Sequence, residues 1–174
     1  YLDIVLLHAV TAADWPAQRQ GAMEVLSEAR EKRIVRTHGV SCHSLDALQT
    51  AAVSRWVRVN LARINPAGVL MDADPNAVVS VLRQMKAAGK GIIGMKILGE
   101  GGLKDRVDEA LRHALALECV DCFTIGPANR DELRKIADDI LKVRNEKFPP
   151  TMKCAGSIFK NLLLDELAPS VREQ

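Results

Sequence analysis

The sequence lacks the features that direct a protein to a membrane or to a nucleic acid. No apolar run in its 174 residues approaches the length of a membrane-spanning helix, and no cluster of basic residues suggests a nucleic-acid surface. Its formal net charge of +2 favours no polyanionic partner. No signal-peptide pattern stands at the start, so we expect a cytoplasmic protein with no membrane and no nucleic-acid partner.

Cysteine is also scarce. The four cysteines form no disulfide framework for a chain of this size, which favours a reducing, cytoplasmic setting. Cys119 and Cys122 have the spacing of a zinc or redox motif. They span the end of a predicted helix and a predicted strand, where their side chains would diverge, so we predict no metal site.

What is present is a repeated alternation of apolar strands and amphipathic helices. The first strand, residues 2–7, is so apolar that we predict it to be buried on both faces. The other predicted strands span residues 34–40, 56–61, 91–98 and 120–125. This alternation predicts a parallel sheet, either a barrel or a doubly wound sheet. No G-x-G-x-x-G motif follows an early strand, which weakens the doubly wound alternative.

We therefore predict an α/β fold: a partial (β/α)8 barrel of the TIM type with about five βα units, followed by a short irregular segment. Because Tyr1 stands directly inside the first strand, we expect the first three units to be missing upstream. The pattern changes beyond Val143, because the Lys-Phe-Pro-Pro of residues 147–150 cannot continue a helix. The predicted domains are residues 1–143 and 144–174.

In a parallel barrel, the residues just past the strand ends face the active site. Glycines 99, 101 and 102 would let backbone N–H groups approach a phosphate, with the positive end of the next helix behind them. Asn129 is predicted to cap the last helix. The strand-end residues are His8, Ser41, Cys42, His43, Asn60, Lys96, Ile97, Leu98, Gly99, Thr124, Ile125 and Gly126.

Four segments of the sequence resemble a known family. Residues 1–8 (Tyr-Leu-Asp-Ile-Val-Leu-Leu-His), 36–43 (Arg-Thr-His-Gly-Val-Ser-Cys-His) and 91–101 (Gly-Ile-Ile-Gly-Met-Lys-Ile-Leu-Gly-Glu-Gly) resemble the second half of an aldo/keto reductase. Residues 123–133 resemble that family's final strand and cofactor-gripping helix. The match covers about residues 1–140. It implies a (β/α)8 barrel that reduces a small-molecule carbonyl to an alcohol with NADPH or NADH.

Carried over by position, the resemblance implies that His8 orients the substrate carbonyl and that Ser41 binds the nicotinamide carboxamide. Cys42 stands where an asparagine usually follows this serine. The pyrophosphate would be wrapped by Lys96, Ile97, Leu98 and Gly99. The adenosine phosphate would be held by Thr124, Ile125, Gly126 and Asn129. Asn60 is the last predicted cofactor-binding residue. No basic residue typical of a 2′-phosphate site is evident, so the cofactor is NADP or NAD.

The family's proton-donating tyrosine, with the lysine and aspartate that tune it, would lie on strands upstream of Tyr1. Tyr1 is the only tyrosine in the chain, and it stands at the wrong end of its strand. Carbonyl reduction needs an acid that protonates the developing alkoxide. We therefore predict that this fragment alone has little or no reductase activity.

The tail carries a second resemblance. Residues 148–161 resemble a segment of UDP-N-acetylenolpyruvoylglucosamine reductase, an FAD-dependent enzyme of peptidoglycan synthesis. Ser157 matches its proton-donating serine and Lys160 a nearby basic residue. The similarity begins near residue 138, and the FAD-binding domain is missing, so we interpret the chain as a fusion or a junction of two fragments.

Two alternatives to the reductase hypothesis follow from these observations. One is the FAD-dependent cell-wall reductase, based on the tail alone. The other is a non-catalytic half-barrel whose open sheet edges pair with another copy or another chain.

Overall fold

The structure is a computed structural model that describes residues 1–127 and 129–147. Ser157 and Lys160 of the tail motif therefore lie outside the described residues. The chain divides into two compact units between Ile136 and Ala137, within the last helix. The domain boundary predicted near residue 143 stays a prediction.

The described residues form five strands and six α-helices. The strands are β1 (Leu2–Val10), β2 (Val35–Cys42), β3 (Val59–Arg63), β4 (Gly91–Met95) and β5 (Cys122–Phe123). The helices are α1 (Trp15–Gln18), α2 (Gln20–Glu31), α3 (Leu45–Val53), α4 (Pro75–Ala87), α5 (Val107–Ala116) and α6 (Arg130–Lys147), and a 3-10 turn spans Gly99–Gly101. None of these described helices combines the length and apolarity that crossing a bilayer requires.

All five strands are parallel and lie in one sheet in the order β1-β2-β3-β4-β5. Each strand therefore pairs with the next one in sequence, and right-handed connections place the connecting helices on a single face. A doubly wound sheet would reverse direction and carry helices on both faces. The prediction of a partial barrel of βα units is confirmed.

The two faces of the sheet can be told apart by the strand register. His38 of β2 stacks on Trp56, and the Trp56 indole donates to Ser27 of α2 at 3.0 Å, so His38 points to the face that carries the helices. Alternation along β2 puts Ser41 on the opposite face, here called the pocket face. Ser41 pairs with Leu61, and paired residues of parallel strands share a face.

β1 differs from its prediction. Leu2 is 60% and Ile4 43% exposed, so the strand is not buried on both faces. The apolar sequence correctly predicted a strand, but the burial of a strand depends on the elements that pack against it. Among the described residues β1 pairs with β2 alone and lies at one edge of the sheet.

Local signals place the connection that follows β2. Ser44 caps α3, because its Oγ accepts from the Ala47 N–H at 3.0 Å. The same hydroxyl donates to the Thr11 carbonyl at 2.5 Å in the loop after β1. This double contact ties the carboxyl ends of β1 and β2 together, and it lies directly beside His43.

Candidate functional site

The pairing of β1 with β2 is interrupted at His8. Leu7 pairs with Val40 and Val10 with Cys42, so His8 and Ala9 together lie opposite one residue, Ser41. Ala9 has a φ of 52°, in the left-handed region that residues with side chains rarely adopt. Bulges of this kind re-aim side chains and are frequent beside active sites. Here the bulge falls at the predicted catalytic residue.

His8, Ser41 and His43 lie together at the carboxyl ends of β1 and β2 and are here called the histidine group. The rings of His8 and His43 meet edge to face, with centroids 5.9 Å apart. Ser41 Oγ is 3.1 Å from His43 Nε2. Ser41 is only 2% exposed, whereas His43 is partly exposed, so the His43 ring is the outer member of the pair.

Arg63 and Asp72 support the histidine group from the end of β3. Arg63 Nη2 donates to the His43 carbonyl at 3.0 Å, and Arg63 Nε donates to Asp72 Oδ1 at 3.0 Å. The Asp72 side chain is fully buried, and within residues 1–127 and 129–147 its Oδ2 has no hydrogen-bond partner. Burial raises the pKa of Asp72, although the hydrogen bond and charge of Arg63 oppose this shift.

The same surroundings favour neutral His43. Burial lowers the pKa of this imidazole, and the positive charge of Arg63 lowers it further. Asp72 acts in the opposite direction but is a smaller influence. At neutral pH, His43 therefore presents one ring nitrogen as an acceptor and the other as a donor.

A pocket of about 430 Å³ opens at the carboxyl ends of β3, β4 and β5. Its volume falls in the range of small-molecule sites. Leu61, Met95 and Ile97 give it an apolar wall, and Lys96 and Lys104 bring positive charge. Six predicted cofactor-binding residues line it: Lys96, Ile97, Leu98, Thr124, Ile125 and Gly126.

Lys96 occupies a strained position at the pocket. It directly follows β4 and has a φ of 57°, again in the left-handed region. Its ammonium forms an ion pair with Glu100, and that hydrogen bond lowers the pKa of the Glu100 carboxyl. Lys104 is a second cation in the lining of the pocket.

Contrary to the prediction, the backbone N–H groups of the glycine-rich turn are not free to bind a phosphate. The N–H groups of Gly99, Gly101 and Gly102 donate to the carbonyls of Lys96, Leu98 and Gly99 within the turn, at 2.8, 3.0 and 3.0 Å. α5 begins only at Val107, so its positive end does not directly follow the glycines. Gly99 serves close packing instead, because a Cβ there would come within 2.9 Å of the Val69 side chain.

The structure does not bring Asn60 and Cys42 to the pocket. Asn60 pairs with Val40, so both it and Cys42 point to the helix face, and both are fully buried. Burial raises the pKa of the Cys42 thiol to about 12, which keeps it protonated. The residue of β3 that lines the pocket is Leu61. The error is one of register, because neighbouring strand residues point to opposite faces.

Asn129 has a capping role. Its Oδ1 accepts from the Glu132 N–H at 2.9 Å, which confirms the predicted N-cap of α6. Tyr1 is 83% exposed at the amino end of β1, away from the histidine group. The described residues contain no group of three side chains placed to hold a metal ion.

Several contributors to the site were not predicted: Leu61, Arg63 and Asp72, and Met95 and Lys104 of the pocket lining. Strand alternation alone would have selected Leu61 once β3 was placed at residues 59–63. The sequence does not indicate that Arg63 and Asp72 pair, because the loop after β3 brings them together. His43 was recognised as a strand-end residue but was given no partner.

The fold defines a class of α/β protein that includes the aldo-keto reductases. A crystal structure from Pseudomonas aeruginosa, provisionally assigned as an aldo-keto reductase, matches with a TM-score of 0.62 at 17% identity. The match covers 82% of this chain and 51% of that protein, so the chain spans about half of its length. At this identity the likeness establishes the fold, and no protein-family model matches the chain.

A second comparison concerns a short segment. Over 40 residues the chain is 75% identical to UDP-N-acetylenolpyruvoylglucosamine reductase of Solibacter usitatus (strain Ellin6076), which is 23% of this chain and 13% of that protein. Both resemblances seen in the sequence are therefore confirmed. The chain covers only a small part of the second relative.

Proposed function

We propose that the chain is the cofactor-side part of an NAD(P)-dependent oxidoreductase that reduces a small-molecule carbonyl. The observation that carries the proposal is the pocket at the ends of β3 to β5, which six of the predicted cofactor-binding residues line. It lies on the same edge of the sheet as the histidine group. The aldo-keto reductase fold of the Pseudomonas aeruginosa protein supports the same class.

The residues of the pocket fit a dinucleotide. Lys96 and Lys104 suit the phosphates, and the apolar wall around Leu61 and Met95 suits a planar ring. Glu100 and Glu132 moderate the positive charge. When bound, NADH or NADPH supplies a hydride to the carbonyl carbon. Because the glycine N–H groups are engaged within their own turn, phosphate binding depends on side chains, and on Lys96 above all.

His8 is the proposed group that orients the substrate carbonyl, because it is exposed at the bulge and its ring lies against that of His43. Protonating the alkoxide requires an additional acid. The Tyr1 hydroxyl accepts from Arg36 at 3.3 Å at the opposite end of β1 and is not available for that role. We therefore expect nucleotide binding by this chain with little or no turnover.

Replacing Lys96 by glutamine is expected to weaken NAD or NADP binding about tenfold, because one charge-assisted phosphate contact is worth about 1.4 kcal/mol. Lys32→Gln is the matched control, since Lys32 also forms an i,i+4 ion pair, with Glu28, but at the carboxyl end of α2. Isothermal titration calorimetry with NAD, NADP and ADP-ribose measures both effects. If the unaltered chain binds none of the three ligands at millimolar concentration, the proposed function is wrong.

The 75% identity over 40 residues favours one alternative, a flavin-dependent cell-wall reductase. Its predicted proton donor, Ser157, belongs to the tail. FAD would have to bind elsewhere in the chain or to a partner. The absorbance spectrum of the purified protein tests this alternative, and a spectrum without flavin bands argues against it.

A candidate from a different class is self-association through β1. Leu2 and Ile4 are exposed on this nine-residue edge strand, and such edges pair readily with another strand. If two copies pair there, Ile4→Lys is expected to shift the protein from dimer to monomer in sedimentation velocity. A monomer at all concentrations before mutation contradicts the candidate.

A further inference from the structure

The histidine group contains a contact that the predicted roles leave unused. The Ser41 hydroxyl lies within 3.1 Å of His43 Nε2, and Ser41 is only 2% exposed. His43 retains part of its exposed surface. A ligand arriving from the pocket face therefore reaches the His43 ring before it reaches Ser41. A direct contact between Ser41 and the nicotinamide, as predicted, would require the ligand to pass the His43 ring.

We propose that His43 is a ligand-contacting residue of this site and that Ser41 is the residue that positions it. The inference rests on the proposed function and concerns the nicotinamide end of the cofactor. A buried hydroxyl needs a hydrogen-bond partner, and His43 Nε2 is within reach of Ser41 Oγ. In this proposal the hydroxyl is the donor and Nε2 of neutral His43 is the acceptor. That bond fixes the tautomer with its proton on Nδ1. The Nδ1–H donor then suits the carbonyl oxygen of the carboxamide.

The surroundings hold His43 in the required state and place. Basic groups face it from three elements: His8 of β1, Arg63 of β3 and Lys96 after β4. With burial, they lower the pKa of the ring, while the buried Asp72 partly offsets them. Arg63 also holds the His43 carbonyl, which fixes the backbone beneath the ring. Neutral His43 in one tautomer is therefore the form that meets a ligand at pH 7.

The test compares NAD with ADP-ribose, which lacks the nicotinamide, by isothermal titration calorimetry at pH 7. His43→Phe retains a ring against His8 but removes the donor, so NAD affinity should fall about tenfold, the worth of one hydrogen bond. His43→Gln retains an N–H donor and should stay within about threefold of the original affinity. ADP-ribose affinity should not change in either variant.

Two further variants separate positioning from simple packing. Ser41→Ala should weaken NAD binding less than His43→Phe does and should alter the tautomer of His43, which nitrogen-15 NMR of the imidazoles reports. His113→Gln on α5 is the control and should change neither ligand's affinity. The four histidines of the chain make the spectra assignable.

The outcomes distinguish the inference from the function on which it rests. If ADP-ribose and NAD both bind but His43→Phe leaves their affinity ratio unchanged, His43 makes no contact and the inference is wrong. A tenfold loss in Ser41→Ala with none in His43→Phe would restore the direct serine contact and also overturn it. If neither ligand binds the unaltered protein, the proposed function fails and the inference fails with it.

Discussion

Gly39→Ala is expected to destabilise the protein by at least about 3 kcal/mol, because among the described glycines an added Cβ meets its nearest neighbouring atom at the shortest distance here. A Cβ at Gly39 would overlap the Val59 carbonyl oxygen and would lie 2.7 Å from its carbonyl carbon and 2.9 Å from its nitrogen. The obstacle is the backbone of the neighbouring strand rather than a flexible side chain. β2 and β3 would have to separate beside Ser41 and Leu61.

Urea denaturation measures this loss, and Gly21→Ala supplies the matched control. Gly21 lies in α2 with nothing within 4 Å of an added Cβ, so alanine should stabilise the helix by about 0.5–1 kcal/mol. The same chemical change thus has opposite signs at the two positions. A Gly39→Ala protein as stable as the original would mean that β2 and β3 are farther apart than the structure shows.

The strand and helix succession was predictable because its signals are local. Ser44, Asp74 with Pro75, and Asn129 each stand at a helix start, and all three caps are present. The buried stripe of α4, which includes Val78, Leu82 and Met85, follows from helical spacing. Parallel order then follows from the alternation of strands and helices.

The site was only partly predictable because its errors are not local. Residue type placed Asn60 at a strand end, but β3 extends to Arg63, and the register turns Asn60 to the helix face. The glycines after β4 suggested backbone N–H groups that are free to bind a phosphate. In the structure these N–H groups donate to carbonyls of the same turn. The exposure of β1 depends on which elements pack against it, and the sequence of the strand itself does not contain that information.

Arg63→Met is expected to cost about 3–5 kcal/mol of stability at pH 7, because it leaves the fully buried Asp72 carboxylate without its cation. Asp72→Asn in the same chain should recover much of that loss, since an uncharged amide is far less costly to bury. Urea denaturation of the two single variants and the double variant gives the coupling energy of the pair. Arg112→Met, which breaks an exposed pair with Asp108 on α5, should cost at most about 0.5 kcal/mol.

The pH dependence of these variants identifies the carboxylate as the cause. The pKa of Asp72 in the folded protein is raised above its ordinary 3.8, so the folded state binds this proton more tightly than the unfolded state does. The contribution of Asp72 to stability is therefore most favourable below pH 3.8 and declines as pH rises through the folded pKa. Removing Arg63 raises that pKa further, so the cost of Arg63→Met should shrink between pH 7 and pH 5. Arg63 also lowers the pKa of His43, so a part of this trend comes from His43 and should persist in the double variant. The part that Asp72 causes is the difference in trend between the single and the double variant. An equal cost at both pH values would mean that Arg63 stabilises the fold through its contact with His43 rather than by neutralising Asp72.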